Sequence, residues 1–238
     1  MARELAERGA KLVLLARNQS KLSAVRDSLP RASEHHLLVP DLGNSVELSE
    51  RLMNLVKEIS PIEILVCNAG GPKAGPVLEA DPESFMTAFR THVVANQILV
   101  QKLVPFMKER GYGRIINIIS TSVKIPIPNL GVSNTIRGAV ASWAKTLANE
   151  LGVYGITVNN VLPGYTATER LEVLKENTGK RLNQSVSAVE EMWKASIPLQ
   201  RFADPRETAQ AVAFLASPQA SYISGVNLPV DGGRTGCL

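Results

Sequence analysis

Hydrophobic residues along the chain fall into short apolar runs that alternate with longer amphipathic segments. The short runs have the length of buried strands, and the longer segments repeat apolar positions every three or four residues, as helices do. This alternation is typical of a parallel sheet covered by helices on both faces. We predict strands near residues 12–16, 37–40, 62–67, 114–119, 156–161 and 226–230, and helices near residues 19–29, 44–59, 83–109, 134–151 and 205–216.

The segment 134–151 has the clearest helical pattern. Its apolar stripe consists of Ile136, Val140, Trp143, Leu147 and Leu151. A stripe of this kind has to pack against the sheet. Ser133 and Arg137 stand four residues apart, so they project from one face if the helix includes both. Ser133, with Asn134 beside it, is also a candidate for the helix N-cap.

The remaining long interval, residues 166–196, has mixed polarity and contains Gly179. We predict that it forms a loose helical lid over a substrate site rather than a second domain. A chain of 238 residues with 45% hydrophobic content can bury one substantial core. We therefore predict a single domain over residues 1–238.

Composition and charge argue against several classes of function. The 26 basic and 22 acidic residues are scattered, so no nucleic-acid surface is indicated. Cys67 and Cys237 offer neither a disulfide framework nor metal-ligand spacing, which favours a reducing cytoplasm. No apolar run approaches the roughly 20 residues that cross a bilayer. His35 and His36 lack partners at ligand spacing, and we predict no metal site.

Six sequence segments carry a resemblance to a known family. They are LVLLARN at 12–18, PDL at 40–42, CNAGG at 67–71, GRIINIIS at 113–120, NNVLPGYTAT at 159–168 and SYISGVNLPVDGG at 221–233. In this order the chain resembles the short-chain dehydrogenase/reductase family, and its second half is similar to the 3-oxoacyl-acyl-carrier-protein reductases. The resemblance implies a Rossmann-like, doubly wound α/β fold, a nicotinamide dinucleotide cofactor and carbonyl–alcohol oxidoreduction of a small molecule.

The chain starts with MARELAERGAKLVLL, which resembles the end of the family's first helix and its second strand. The family's first strand and Gly-rich turn, which holds the cofactor pyrophosphate, have no counterpart here. Loss of this mid-sheet strand is expected to split the hydrogen-bonded ladder and to leave two unpaired edges. We favour a misassigned start over a deliberately shortened chain or a natural variant that has abandoned ordinary dinucleotide binding. Cofactor binding is therefore itself in question.

Several residues occupy positions that bind the cofactor in the family. Arg17 follows the second strand of the family, where a guanidinium can bind a 2′-phosphate, so NADP(H) is favoured over NAD(H). The resemblance also implies cofactor contacts for Asp41 and Leu42 at the adenine, for Asn68, Ala69 and Gly70 at the adenosine ribose, and for Pro163, Gly164 and Thr168 at the nicotinamide amide.

The catalytic positions of the family are altered in this chain. Ser120 matches the family serine, but the tyrosine thirteen residues later is Ser133, and the lysine four residues further is Arg137. An alcohol is far less acidic than a phenol with a pKa of about 10, and an arginine does not titrate as a lysine can. The family asparagine corresponds to His92, whose imidazole is able to donate a proton directly or through water, unless it is simply structural.

We predict a divergent short-chain dehydrogenase/reductase that uses NADP(H) and an altered catalytic tetrad. Two alternatives stay open: a catalytically inactive dinucleotide-binding or partner protein, and a non-redox lyase or isomerase that uses His92 and Arg137 on an acidic substrate. The resemblance also implies a homo-oligomer, either a dimer or a tetramer. We expect no nucleic-acid or membrane partner.

Overall fold

The computed structural model describes residues 1–59 and 61–237. Ser60 and Leu238, which belong to the predicted domain 1–238, lie outside the described residues. The strands are β1 (Val13–Leu15), β2 (His36–Leu38), β3 (Ile64–Cys67), β4 (Gly113–Ile118), β5 (Ile156–Pro163) and β6 (Asn227–Val230). The helices are α1 (Ala2–Glu7), α2 (Gln19–Asp27), α3 (Ser45–Glu58), α4 (Pro82–Phe89), α5 (Ala95–Arg110), α6 (Gly131–Leu151), α7 (Glu169–Leu182), α8 (Val186–Ala195) and α9 (Pro205–Ala216).

All strands pair in parallel, but they form two separate ladders. One ladder has the order β1-β2 and the other β3-β4-β5-β6. In the second ladder Ile115 of β4 lies opposite Leu65 of β3 and Val158 of β5. Within the described residues, β1 and β3 each have a strand partner on one side only. The predicted split of the sheet is therefore confirmed.

Helices cover both faces of the larger ladder, as a doubly wound α/β fold requires. On one face, residues of α3, α5 and α6 pack against Leu65 and Ile115, and Leu38 of β2 belongs to the same core. On the other face, α9 packs against Ile116 and Val161, with Leu5 of α1 alongside. The alternation of Ile115 and Ile116 between the two cores follows from the two-residue repeat of a strand. The predicted fold class is confirmed.

The predicted helices differ from the observed ones in two places that matter for the site. The segment 83–109 is not one regular helix, because a π-helical turn, Arg90–Val94, joins α4 to α5. The helix predicted over 134–151 begins three residues earlier, at Gly131. Ser133 is therefore inside α6, and the interpretation of Ser133 as an N-cap is wrong. The cap position is Leu130, whose side chain makes no capping bond.

The segment 166–196 forms two defined helices, α7 and α8, rather than a loose one. Lys175 on α7 joins them, because its Nζ lies 2.8 Å from a carboxylate oxygen of Glu172 and 2.7 Å from one of Glu190 on α8. The role of segment 166–196 as a substrate lid stays a prediction. None of the helices in the described parts of the chain is long and apolar enough to cross a membrane. The cytoplasmic location also stays a prediction.

Candidate active site

The predicted site residues lie where strands end. Within each of the two ladders the strands are parallel, so their carboxyl ends lie at one edge of that ladder, where open α/β folds bind ligands. In the smaller ladder, Arg17 follows β1, and Asp41 and Leu42 follow β2. In the larger ladder, β3 is followed by Asn68, Ala69 and Gly70, and β4 by Ser120. Pro163 is the last residue of β5, and Gly164 comes directly after it. Thr168 is the N-cap residue of α7.

Ser120 begins a short 3-10 turn directly after β4. Its Oγ accepts a hydrogen bond of 3.1 Å from the backbone N–H of Ser122. A hydroxyl that accepts in this way keeps its own proton for a second partner. Ser120 is half-buried, so its hydroxyl is placed to donate to a substrate oxygen.

Ser133 lies in the first turn of α6, one turn before Arg137, and both side chains are buried. The neighbouring Asn134 fixes the loop before the helix, because its Nδ2 donates to Ile127 O at 2.9 Å and its Oδ1 accepts from Ile127 N at 3.4 Å. No hydrogen bond involves the Ser133 hydroxyl in the described part of the chain. This hydroxyl is therefore available to a ligand.

His92 stands in the π-helical turn and connects Arg137 to the turn after β3. Its Nε2 lies 3.1 Å from Gly70 O, and its Nδ1 lies 3.4 Å from Nη1 of Arg137. A carbonyl oxygen only accepts and a guanidinium only donates, so Nε2 carries the proton and Nδ1 accepts. Arg137 Nη1 also donates to Ile118 O at 3.1 Å. Both ring nitrogens of His92 are thus engaged.

Burial and neighbouring charge keep His92 neutral. Its side chain is 3% exposed, and loss of hydration, followed by the positive charges of Arg137 and Arg170, lowers its pKa from 6.5 to about 4. The bond to Gly70 opposes this shift only in part. A neutral imidazole whose single N–H is held by a carbonyl is poorly suited to give up a proton near pH 7. Proton donation by His92 stays a prediction, and the geometry favours a role in positioning Arg137.

Arg170, in the first turn of α7, is a further charged residue of this site. Its Nη1 lies 3.4 Å from Gly71 O and its Nη2 lies 3.5 Å from Pro72 O, just beyond the carbonyl that His92 contacts. Burial first and the charge of Arg170 second lower the pKa of Arg137 to about 10. The charge of Arg170 thus opposes the positive charge of Arg137.

A buried asparagine pair lies behind these residues. Nδ2 of Asn117 on β4 donates to Oδ1 of Asn160 on β5 at 2.9 Å. Oδ1 of Asn117 is buried without a partner in the described residues, and the side chain borders a cavity of about 10 Å³ that His92 and Arg137 also line. A space of this size holds about one water. We expect a buried water that hydrogen-bonds to Asn117.

Comparison with known proteins identifies the family. A family model described as "Enoyl-(Acyl carrier protein) reductase" matches residues 1–235. The 3-oxoacyl-[acyl-carrier-protein] reductase of Rickettsia bellii is 33% identical over 235 residues, which cover 98% of this chain and 90% of that protein. The chain belongs to the short-chain dehydrogenase/reductase family. It is an oxidoreductase family, and the sequence-based assignment is confirmed.

Two solved structures illustrate the likeness in fold. A variant of the actinorhodin polyketide ketoreductase with NADPH has a TM-score of 0.92 and 28% identity, covering 99% of this chain and 92% of that one. An NAD⁺-bound xylitol dehydrogenase has a TM-score of 0.91 and 28% identity, covering 98% and 92%. Relatives of this dehydrogenase/reductase thus bind nicotinamide dinucleotides of both kinds.

Tyr165 supplies a phenol close to the end of β5, but it belongs to an aromatic cluster. Its ring stacks on Trp193 of α8 with centroids 4.6 Å apart and packs edge-on against Phe202. Arg234 covers the ring and its Nη2 lies 3.4 Å from the phenol oxygen. Burial raises the pKa of Tyr165, against the charge of Arg234. This tyrosine ties the end of β5 to the α7–α8 segment.

Arg170 and the asparagine pair were missed by sequence reasoning, although each leaves a signal. An arginine in the first turn of a helix opposes the helix dipole, which favours acidic residues there. Such a placement suggests a role other than helix stability. Asn117 and Asn160 stand among apolar residues in mostly apolar strands, which indicates a buried polar contact. The partners in either case were not readable from the sequence.

Proposed function

We propose that this chain is an NADP(H)-dependent dehydrogenase/reductase that interconverts a carbonyl and an alcohol with an altered catalytic tetrad. The observation that carries the proposal is the donor capacity of Ser120, whose oxygen accepts from Ser122 N while its proton has no acceptor in the described residues. In this family the serine is the only one of the four catalytic positions that the chain retains. The proposal rests on the family and on this hydroxyl, and the cofactor preference rests on Arg17.

The residues at the sheet edge fit a nicotinamide dinucleotide. A Cβ built on Gly70 would meet no atom within 4 Å, so the turn after β3 allows a ligand to approach its backbone closely. Arg17 is exposed and takes part in no ion pair of the described residues. We propose that Arg17 binds the 2′-phosphate, that Asp41, Leu42, Asn68 and Ala69 border the adenosine, and that Pro163, Gly164 and Thr168 border the nicotinamide.

The chemistry follows from these placements. The nicotinamide, when bound, donates a hydride to the carbonyl carbon or accepts one from the alcohol. Ser120 donates its hydroxyl proton in a hydrogen bond to the carbonyl oxygen, and Ser133 is available as a second donor. Preorganised donors of this kind stabilise the negative charge that develops on the oxygen. Reduction takes up one proton from bulk solvent, because neither serine hydroxyl can give up its own proton permanently and Ser133 is a far weaker acid than a phenol. Arg137, positioned by His92, orients the substrate.

Absorbance at the nicotinamide band distinguishes this proposal from its rivals. NADPH loss that depends on a ketone supports the reductase. Tight NADPH binding without turnover identifies a non-catalytic dinucleotide-binding protein, and product formation with unchanged cofactor identifies a lyase or isomerase. Ser120→Ala should lower kcat by about 100-fold, within the range for loss of one oxyanion donor. Ser122→Ala, which retains the backbone N–H, is the matched control and should keep kcat within about twofold of the unmodified chain.

The cofactor preference has its own test. Arg17→Gln should weaken NADPH binding by at least about 10-fold, since a charge-assisted bond contributes about 1.5–3 kcal/mol. NADH, which lacks the 2′-phosphate, should bind equally to both forms. Arg3→Gln removes an exposed guanidinium from α1 and serves as the control. Equal affinity of the unmodified chain for the two cofactors would exclude an NADP(H) preference set by Arg17.

We also propose that the chain forms a homo-oligomer. Leu78 is 94% exposed and Tyr222, in the segment before β6, is fully exposed. Single exposed apolar side chains also occur on monomers, so the proposal rests on the resemblance to the family. Light scattering after gel filtration should give the mass of a dimer or a tetramer; the mass of a monomer at micromolar concentration contradicts the proposal.

A further inference from the structure

Two guanidinium groups meet at the candidate site without a counter-ion. Arg137 and Arg170 take part in none of the ion pairs formed by the described residues. The charges of Arg137 and Arg170 lower the pKa of His92, and the charge of Arg170 lowers the pKa of Arg137. Within the part of the chain that the structure describes, no carboxylate contributes to this field. Glu169, the acidic neighbour of Arg170 in sequence, forms no ion pair with it.

The hydrogen bonds of both arginines leave most of their donors free. The bonds of Arg137 in the described residues run from Nη1 alone, to Ile118 O and His92 Nδ1. Its Nε and Nη2 have no partner among these residues, although the side chain is only 8% exposed. Arg170 reaches only two backbone carbonyls, at 3.4 and 3.5 Å. Five N–H donors in a planar fork suit an anion with two oxygens.

This arrangement costs free energy unless an anion joins it. Arg137 is buried, and a buried charge without an ionic partner is destabilising. Arg170 is exposed, and its like charge nearby adds to the cost at Arg137. Perturbed charged groups of this kind concentrate at functional sites. The turn 70–72 links the two arginines, because Gly70 O contacts His92, the partner of Arg137, and Gly71 O contacts Arg170 directly. An oxyanion between the two guanidinium groups would neutralise both.

We propose that Arg137 and Arg170 bind the anionic group of the substrate, a carboxylate or a phosphate, and that the substrate is an oxo acid or a phosphorylated ketone rather than a neutral carbonyl compound. This inference rests on the proposed function only for the carbonyl; the anion site itself requires no turnover. Ser120 and Ser133 then receive the carbonyl oxygen while the two arginines hold the charged end.

Binding of a matched pair of probes tests the anion site. Calorimetric titration compares acetoacetate with its neutral methyl ester at constant ionic strength and pH 7.5, using the full chain. Acetoacetate should bind at least about 10-fold more tightly than the ester, since one bidentate charge-assisted contact is worth about 1.5–3 kcal/mol. Inorganic phosphate should compete with acetoacetate. Equal affinity for acid and ester, or no effect of phosphate, overturns the proposal.

Four variants locate the charge. Arg170→Gln should reduce the preference for acetoacetate by about 10-fold and leave ester binding unchanged, and Arg170→Lys should restore part of it. Arg181→Gln removes an exposed guanidinium from the other end of α7 and should change nothing. Gly71→Ala keeps the charge but displaces it, because a Cβ there would lie 2.8 Å from Nη2 of Arg170. It should behave as Arg170→Gln does.

A cofactor phosphate is the competing source of the anion. NADPH titrations of the same variants separate the two cases. If Arg170→Gln weakens NADPH binding and leaves the acid–ester preference intact, the arginines serve the cofactor and the proposal is wrong. If NADPH binding is unchanged while the preference is lost, the substrate site is supported. A chain that binds acetoacetate selectively and never oxidises NADPH would keep the anion site and refute only the reductase.

Discussion

The low pKa of His92 makes the stability of this protein depend on pH. In the unfolded chain the imidazole has its ordinary pKa of 6.5, and in the folded chain burial and the nearby arginines lower it to about 4. The folded state therefore binds fewer protons than the unfolded state between these two values. Stability is fully present above pH 6.5 and is lost as the pH falls towards 4.

The size of the effect follows from the difference in pKa. About 1.4 kcal/mol for each unit gives a loss of about 3 kcal/mol over the whole interval, and about 2 kcal/mol between pH 7.5 and pH 5. His92→Gln removes the titration and keeps a neutral donor near Gly70 O. Urea unfolding at pH 7.5 and pH 5 should show that the variant loses about 2 kcal/mol less than the unmodified chain over that range.

His36→Gln is the matched control, because His36 is exposed and its replacement removes the same type of side chain. Its pH dependence should equal that of the unmodified chain. If unfolding free energies of His92→Gln and the unmodified chain run parallel between pH 7.5 and pH 5, His92 is not held neutral by the fold. The argument that both its nitrogens are engaged by Gly70 and Arg137 would then be refuted.

Two further predictions concern catalysis and backbone geometry. Ser133→Tyr combined with Arg137→Lys should raise NADPH oxidation with a simple ketone by about 10²-fold or more, the usual contribution of a positioned proton donor. The control, Ser133→Phe combined with Arg137→Lys, should show no gain. If the two double variants oxidise NADPH at equal rates, the phenol is not what the pocket lacks. Gly155→Ala should lower the free energy of unfolding in urea by more than about 1 kcal/mol, because φ is +70° and the new Cβ would lie 2.4 Å from Gly111 O. Gly138→Ala, at an open position inside α6, should instead raise it by about 0.5–1 kcal/mol, and a loss there would contradict the helix assignment.

The sequence by itself determined the elements and the edge at which the site lies. Apolar runs and helical stripes are local patterns, so the strands and most helices could be predicted within a few residues. The order of the family motifs placed Ser120 after β4 and Arg137 on α6. The separation of the ladders at β1 and β3 was also predicted from the sequence.

Only the tertiary structure decided what the altered residues contact. His92 meets Arg137 across 45 positions and Gly70 across 22, and its pKa is set by those contacts and by burial. The π-helical turn that carries His92 inserts one residue into a turn, which the prediction of one regular helix over 83–109 did not include. The division of segment 166–196 into α7 and α8 was not predicted either. Arg170 lies at the site because the first turn of α7 stands beside the turn that follows β3. Charge pairing depends on distances between residues remote in sequence, which no local pattern encodes.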